Sequence, residues 1–130
     1  MFHFPSLTRV CSALALLAVI LGLSAACGGP SGNTVEVDMG IATFTQDSVT
    51  VKAGQAVHFA DPDYGGGIHV LCVGKDLKCV SQPGTPAGLE VADGVTFNPG
   101  DTRDIVFATP GSYDVICTIH PSMVITIIVQ

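Results

Sequence analysis

Short strand-like runs separated by well-marked turns constrain this chain more than any other feature. Thr34-Val35-Glu36-Val37-Asp38-Met39, Ser48-Val49-Thr50-Val51 and Ala56-Val57-His58-Phe59 alternate apolar with polar residues, the period at which one face of a strand packs inward. Ile68 to Val73, Val95 to Phe97, Asp104 to Phe107, Ser112 to Cys117 and Val124 to Val129 continue the series. Between them stand Ala53-Gly54-Gln55, Asp61-Pro62-Asp63, Gly65-Gly66-Gly67, Pro83-Gly84-Thr85-Pro86, Asn98-Pro99-Gly100-Asp101 and Thr109-Pro110-Gly111, all rich in turn formers. Helical periodicity is slight. The pattern predicts an all-β antiparallel sandwich of seven or eight strands over residues 34–130, with Ser81 to Gly94 as a loop carrying one helical turn.

The first 26 residues do not belong to that pattern. Arg9 precedes an apolar run from Val10 to Leu23, interrupted only by Cys11, Ser12 and Gly22, and Ser24-Ala25-Ala26-Cys27 follows. Such a segment reads as a secretory signal peptide over 1–26, with a single amino-terminal membrane anchor as the competing reading. Ser24-Ala25-Ala26-Cys27 resembles the lipobox of bacterial lipoproteins, in which the cysteine becomes the lipid-modified first residue; Ser24 stands where leucine is usual. Ordinary cleavage would leave Cys27 as an exposed free thiol in an oxidising compartment, so lipidation of Cys27 is the expectation. Residues 27–33 then serve as lipid attachment and flexible tether. These features predict an extracytoplasmic protein held to the outer face of the cell membrane, with a soluble periplasmic or secreted form as the alternative.

The whole chain has a formal net charge of -6, and losing Arg9 makes the remainder more acidic still. Lys52, Lys75, Lys78 and Arg103 cannot assemble a patch that tracks a phosphate backbone, which argues against nucleic acid as a partner. Acidity favours a basic partner and salt-dependent association, although the same charge also serves solubility.

Cys72 and Cys79 flank a candidate hairpin. If Lys75-Asp76 is its two-residue turn, Gly74 faces Leu77, Val73 faces Lys78 and Cys72 faces Cys79, close enough for a disulfide. Lys75-Asp76 is not a favoured turn pair, and two buried thiols are the alternative. Secretion supports the bond and leaves Cys117 unpaired.

Cys117 opens the stretch Cys117-Thr118-Ile119-His120-Pro121-Ser122-Met123, set between two apolar strands. A thiolate, an imidazole and a thioether at this spacing are soft or borderline donors and point to copper. The set lacks a second nitrogen. His58 lies between the inward Val57 and Phe59 and should face solvent. His69, between Ile68 and Val70 at the start of an apolar strand, is the better candidate for that second nitrogen. Cys117, His69 and His120 would form a trigonal plane, with Met123 as a long axial ligand of one mononuclear type 1 copper. Zinc gains little from methionine, and a binuclear copper site would need a second cysteine on the loop.

Together with Phe44, Val49-Thr50-Val51, Gly54, Val57, Phe59, Phe97, Pro99-Gly100, Phe107 and Thr109-Pro110-Gly111-Ser112-Tyr113, this loop resembles the cupredoxins, the small blue copper proteins, and its short spacing most resembles the amicyanin-like members. The resemblance implies a Greek-key, cupredoxin-like sandwich. It also implies His69 as the upstream copper histidine, Cys117 as the thiolate, His120 as the exposed histidine through which electrons enter, and Met123 as the axial thioether. Val70 stands where related proteins place an asparagine that braces the ligand loop, and Ile125 where they tend to have glycine.

The function expected is one-electron transfer by a carrier that is not an enzyme. Its partners would be redox proteins that dock briefly near His120, against a rim of Ile68, Ile119, Pro121 and Met123, and a lipid membrane through Cys27. The protein itself is expected to be a monomer. A copper chaperone or reservoir without redox cycling would use the same ligands and is the main alternative. A metal-free recognition sandwich is the third.

Overall fold

A computed structural model describes residues 34–63, 66–90 and 92–130; the expected signal peptide, Cys27 and the tether lie outside the described residues. Among the described residues there are nine strands: β1 (Val35–Asp38), β2 (Ser48–Val51), β3 (Gln55–Ala60), β4 (His69–Lys75), β5 (Lys78–Cys79), β6 (Val95–Phe97), β7 (Thr102–Phe107), β8 (Gly111–Cys117) and β9 (Val124–Val129). One sheet has the order β1-β3-β7 and the other β2-β9-β8-β4-β5, with β6 added on β4. This is the Greek-key sandwich of the cupredoxin type.

Two pairings depart from the purely antiparallel expectation. β1 runs parallel to β3, and β2 parallel to β9. β2, which separates β1 from β3 in the chain, pairs in the opposite sheet, so β3 returns in the direction of β1 without a hairpin.

Inward positions of both sheets meet in one core. Val37, Val57, Phe59, Ile105 and Phe107 of the first sheet join Val49, Leu71, Val115, Ile125, Ile127 and Val129 of the second. Burying each such side chain contributes about 1.5–3 kcal/mol. Phe107 packs against Tyr113 with ring centroids 5.6 Å apart, and the buried Tyr113 hydroxyl donates to the Thr109 carbonyl at 2.8 Å. That bond satisfies the polar end of an otherwise apolar side chain.

The hairpin after β4 has a different register from the one expected. Lys75 pairs with Lys78 and Gly74 with Cys79, so Asp76-Leu77 is the turn and both residues have positive φ, 51° and 62°. Two-residue hairpins favour turns with positive φ because their twist matches that of the strands. Cys72 therefore lies diagonal to Cys79, on the same face as Gly74. The disulfide still forms, with Cα atoms 5.5 Å apart. Glycine is required at position 74, because a Cβ there would collide with the Lys78 carbonyl.

Residues 81–90 and 92–94 form successive turns, and no helix occurs among the described residues. Thr85 donates to the Gln82 carbonyl and Leu89 to that of Pro86, each at 3.0 Å. Buried Leu89 fastens this loop to β4 by accepting from the Val73 amide at 3.2 Å.

Candidate metal centre

Antiparallel pairing of β4 with β8 aligns Leu71 with Cys117, so the first residue of β4 and the last of β8 lie at the same end of the sandwich. His69 and Cys117 are both buried there. The β8–β9 connection folds back over them through short bonds: the Cys117 amide donates to the Met123 carbonyl and the Met123 amide to the His120 carbonyl, each at 3.0 Å. The Thr118 amide donates to the Val70 carbonyl at 2.8 Å, which ties the loop to the strand carrying His69.

This arrangement gathers donors that are far apart in the chain. One ligand atom from each of His69, Cys117 and His120 lies within 4.8 Å of the others. The two imidazole centroids are 5.0 Å apart, and the Cys117 sulfur sits 3.4 Å from His120 Nδ1. His120 is half-buried, whereas Met123, at the end of the same loop, is fully buried in the core. His58 lies elsewhere: it is partly exposed on β3, with Nδ1 2.6 Å from Asp104 Oδ1, in line with the expectation that it faces outward.

Val70 contributes through its backbone what its side chain cannot. Its amide donates to the Cys117 sulfur over 3.4 Å, within the range for a sulfur acceptor. A donor on a thiolate draws charge from it and so tunes any metal it holds.

Asp61 is a residue that sequence reasoning missed. Asp61-Pro62-Asp63 reads as an ordinary turn, and turn aspartates normally face water. Here the Asp61 side chain is fully buried, with Oδ1 3.9 Å from His69 Nε2. Its backbone is pinned on both sides: the Asp61 amide donates to the Asp101 carbonyl at 2.9 Å, and its carbonyl accepts from the Gly100 amide at 2.6 Å. Gly100, at φ +89°, supplies the left-handed turn that this approach requires. Burial pushes the Asp61 carboxyl above the ordinary carboxylate range; nearby His69 opposes that shift, and Asp101 and Asp63 add to it. No linear sequence signal marks this inward turn, because the approach depends on how the β3–β4 loop meets the Pro99-Gly100 turn.

The donor chemistry fits copper. One thiol and two imidazoles converge in an apolar setting, with a buried thioether closing the loop, and this is the composition of a mononuclear type 1 copper site.

Comparison with known proteins agrees with that chemistry. Amicyanin-alpha of Methylorubrum extorquens is 30% identical over 127 residues, covering 98% of this chain and 96% of its own. The crystal structure of amicyanin from Paracoccus versutus superposes with a TM-score of 0.56 at 25% identity, over 76% of this chain and 83% of that one. A copper-containing nitrite reductase from Thermus scotoductus gives a TM-score of 0.56 at 25% identity, over 75% of this chain but only 22% of the reductase. Residues 32–130 match the family of copper binding proteins described as plastocyanin/azurin. By donor set, fold and sequence together, the chain belongs to the plastocyanin/azurin family of copper-binding proteins.

Proposed function

We propose that this protein is an extracytoplasmic one-electron carrier in which His69, Cys117 and His120 would hold copper and Met123 would supply a further thioether donor. The convergence of one thiol and two imidazoles within 4.8 Å carries this reading. When bound, copper supplies a couple that exchanges one electron between its +1 and +2 states.

The chain's own groups set the conditions for that exchange. Cys117 contributes the thiolate that offsets one unit of metal charge, in surroundings from which water is excluded. Burial makes the more highly charged oxidised site harder to desolvate and so favours the reduced one. The short loop bonds and the strand pairing hold the donors in place, which keeps rearrangement small when charge changes. His120 is half-buried, and exposed Ile119 and Ile68 stand next in the chain to His120 and His69 respectively. A reduced partner gives one electron at this face and an oxidised partner takes one, in complexes kept brief by a small apolar contact.

Residues 1–26 are read as a removable signal peptide and Cys27 as the lipid attachment, which would hold residues 34–130 at the outer face of the membrane as a monomer. Support for this comes from the apolar run ending in Ser24-Ala25-Ala26-Cys27.

Copper(II) titration followed by absorption and electron spin resonance, with Cys117→Ser alongside, tests the metal reading. An intense thiolate-to-copper band with narrow hyperfine splitting, absent in the variant, is the expected result. A folded protein with free Cys117 and no such band would sink it. Copper that leaves quickly for a modest competitor and does not cycle would favour delivery over electron transfer.

A further inference from the structure

Asp61 is a buried acid with no hydrogen-bond partner for either carboxylate oxygen among the described residues. An acid so placed is expensive, because a buried polar group without compensation costs free energy and a buried charge costs more. The imidazole beside it is that of His69, with Nε2 3.9 Å from Oδ1. Backbone bonds to Gly100 and Asp101 hold Asp61 in this position, so the approach is built into two loops rather than left to one side-chain rotamer.

Resting on the copper reading above, we propose that Asp61 is a positioning residue for His69: its carboxylate selects the ring form with the proton on Nε2, leaves Nδ1 for the metal, and favours copper(II) over copper(I). Ring nitrogens of metal-binding histidines characteristically donate their remaining N–H to a carboxylate or carbonyl, which fixes the tautomer and raises ligand basicity. At 3.9 Å the pair is longer than a hydrogen bond, so the carboxylate acts here mainly through its charge and orientation. An anion near the site attracts the dication more strongly than the monocation, and in a dry setting the difference is poorly screened. The same loops would thus trade some folding stability for control of the site, as strained or unsatisfied groups at functional sites commonly do.

Two substitutions in the full-length protein separate the parts of this role. Asp61→Asn keeps the shape and one carbonyl acceptor but removes the anion; Asp61→Ala removes both. In the metal-free protein, long-range proton–nitrogen correlation of the His69 ring reads the tautomer directly. The Nε2–H form should dominate in the unsubstituted protein, lose ground in Asp61→Asn, which keeps a carbonyl dipole but not the charge, and give way to a mixture in Asp61→Ala. Copper(II) affinity, measured by chelator competition, should fall by about 10-fold or more in both variants. Copper(I) affinity should fall less. A tenfold loss confined to copper(II) raises the reduction potential by about 59 mV.

Metal-free stability separates this role from a structural one. Relieving a buried acid should leave the unfolding midpoint unchanged or raised, whereas a residue needed for packing would lower it. Asp63→Asn removes the same charge from an exposed position of the same turn and should leave affinity and potential near their original values. A normal type 1 spectrum, with a His69 tautomer and a potential indifferent to both Asp61 variants, would overturn the proposal alone. Loss of affinity that merely tracks loss of metal-free stability would overturn it as well. Absence of the type 1 spectrum in the unsubstituted protein would overturn the copper reading and this proposal with it.

Discussion

The Val70 amide donates to the Cys117 sulfur over 3.4 Å, so one backbone group joins the strand that carries His69 to the sulfur at the end of β8. This bond does not depend on the identity of the side chain at position 70. The sequence comparison that sets Val70 against an expected asparagine therefore overstates the difference at the sulfur.

Val70→Ala should leave the thiolate-to-copper band and the reduction potential close to those of the unsubstituted protein, since the amide remains. Val70→Pro removes the donor and should lower the potential, because a sulfur relieved of its hydrogen bond donates more strongly to copper(II). A shift of the band in the alanine variant as large as in the proline variant would contradict a backbone origin. Absorption and redox titration of the two variants make the comparison.

Met123→Leu replaces one fully buried apolar side chain with another of similar volume. Such exchanges usually cost less than about 1.5 kcal/mol, so the variant should fold. If Met123 supplies the proposed thioether, its loss destabilises copper(II) more than copper(I), and the potential should rise while copper still binds. An unchanged potential and spectrum would remove Met123 from the ligand set.

Cys72 and Cys79 close a loop with a sequence separation of 7, on the strand that begins with His69. Constraint of the unfolded chain by a loop this short contributes about 2–3 kcal/mol. Denaturant unfolding of the metal-free Cys72→Ala/Cys79→Ala double variant should show a loss of that size. A midpoint equal to that of the unsubstituted protein would mean that the loop is already constrained when unfolded.

Asp101 accepts from the Asn98 amide at 2.8 Å and from Asn98 Nδ2 at 3.1 Å. The backbone bond first, then the side-chain bond, hold its carboxyl below the ordinary range, with a smaller pull from Arg103. The unfolded chain protonates this group near pH 3.9, the usual aspartate value of about 3.9, while the folded chain still holds it ionised. Its contribution is therefore present above about pH 3.9 and is lost as pH falls through the lower folded value. Asp101→Ala should be less stable near neutral pH, with the deficit shrinking on further acidification. Denaturant curves at several pH values would reveal a constant deficit if the Asn98 bonds do not favour the ionised form.

Much of the sandwich was legible because strand alternation states directly which side chains face inward. Val57 and Phe59 are buried and His58 between them is partly exposed, as the period of two requires. Cys117 and His120 of the metal cluster were legible for a different reason: they are neighbours in the chain, so their spacing is visible before folding, and the same spacing carries the proposal for Met123. His69 could be chosen over His58 by the same alternation. Register at the hairpin was not legible. Lys75-Asp76 and Asp76-Leu77 are both poor two-residue turns by composition, and the choice rests on the close backbone approach at Gly74.

By itself the sequence determined the chemistry of the donors and the inward or outward sense of the strands, because both follow from residue type and from a period measured along the chain. Only the tertiary structure decided that β1 and β3 run parallel, that the Val70 amide meets the Cys117 sulfur, and that Asp61 turns inward behind His69. Each of these depends on which remote segments cross and at what register. Hydrophobic alternation specifies a face but not a neighbour, so such contacts are settled only when the two sheets close on a common core.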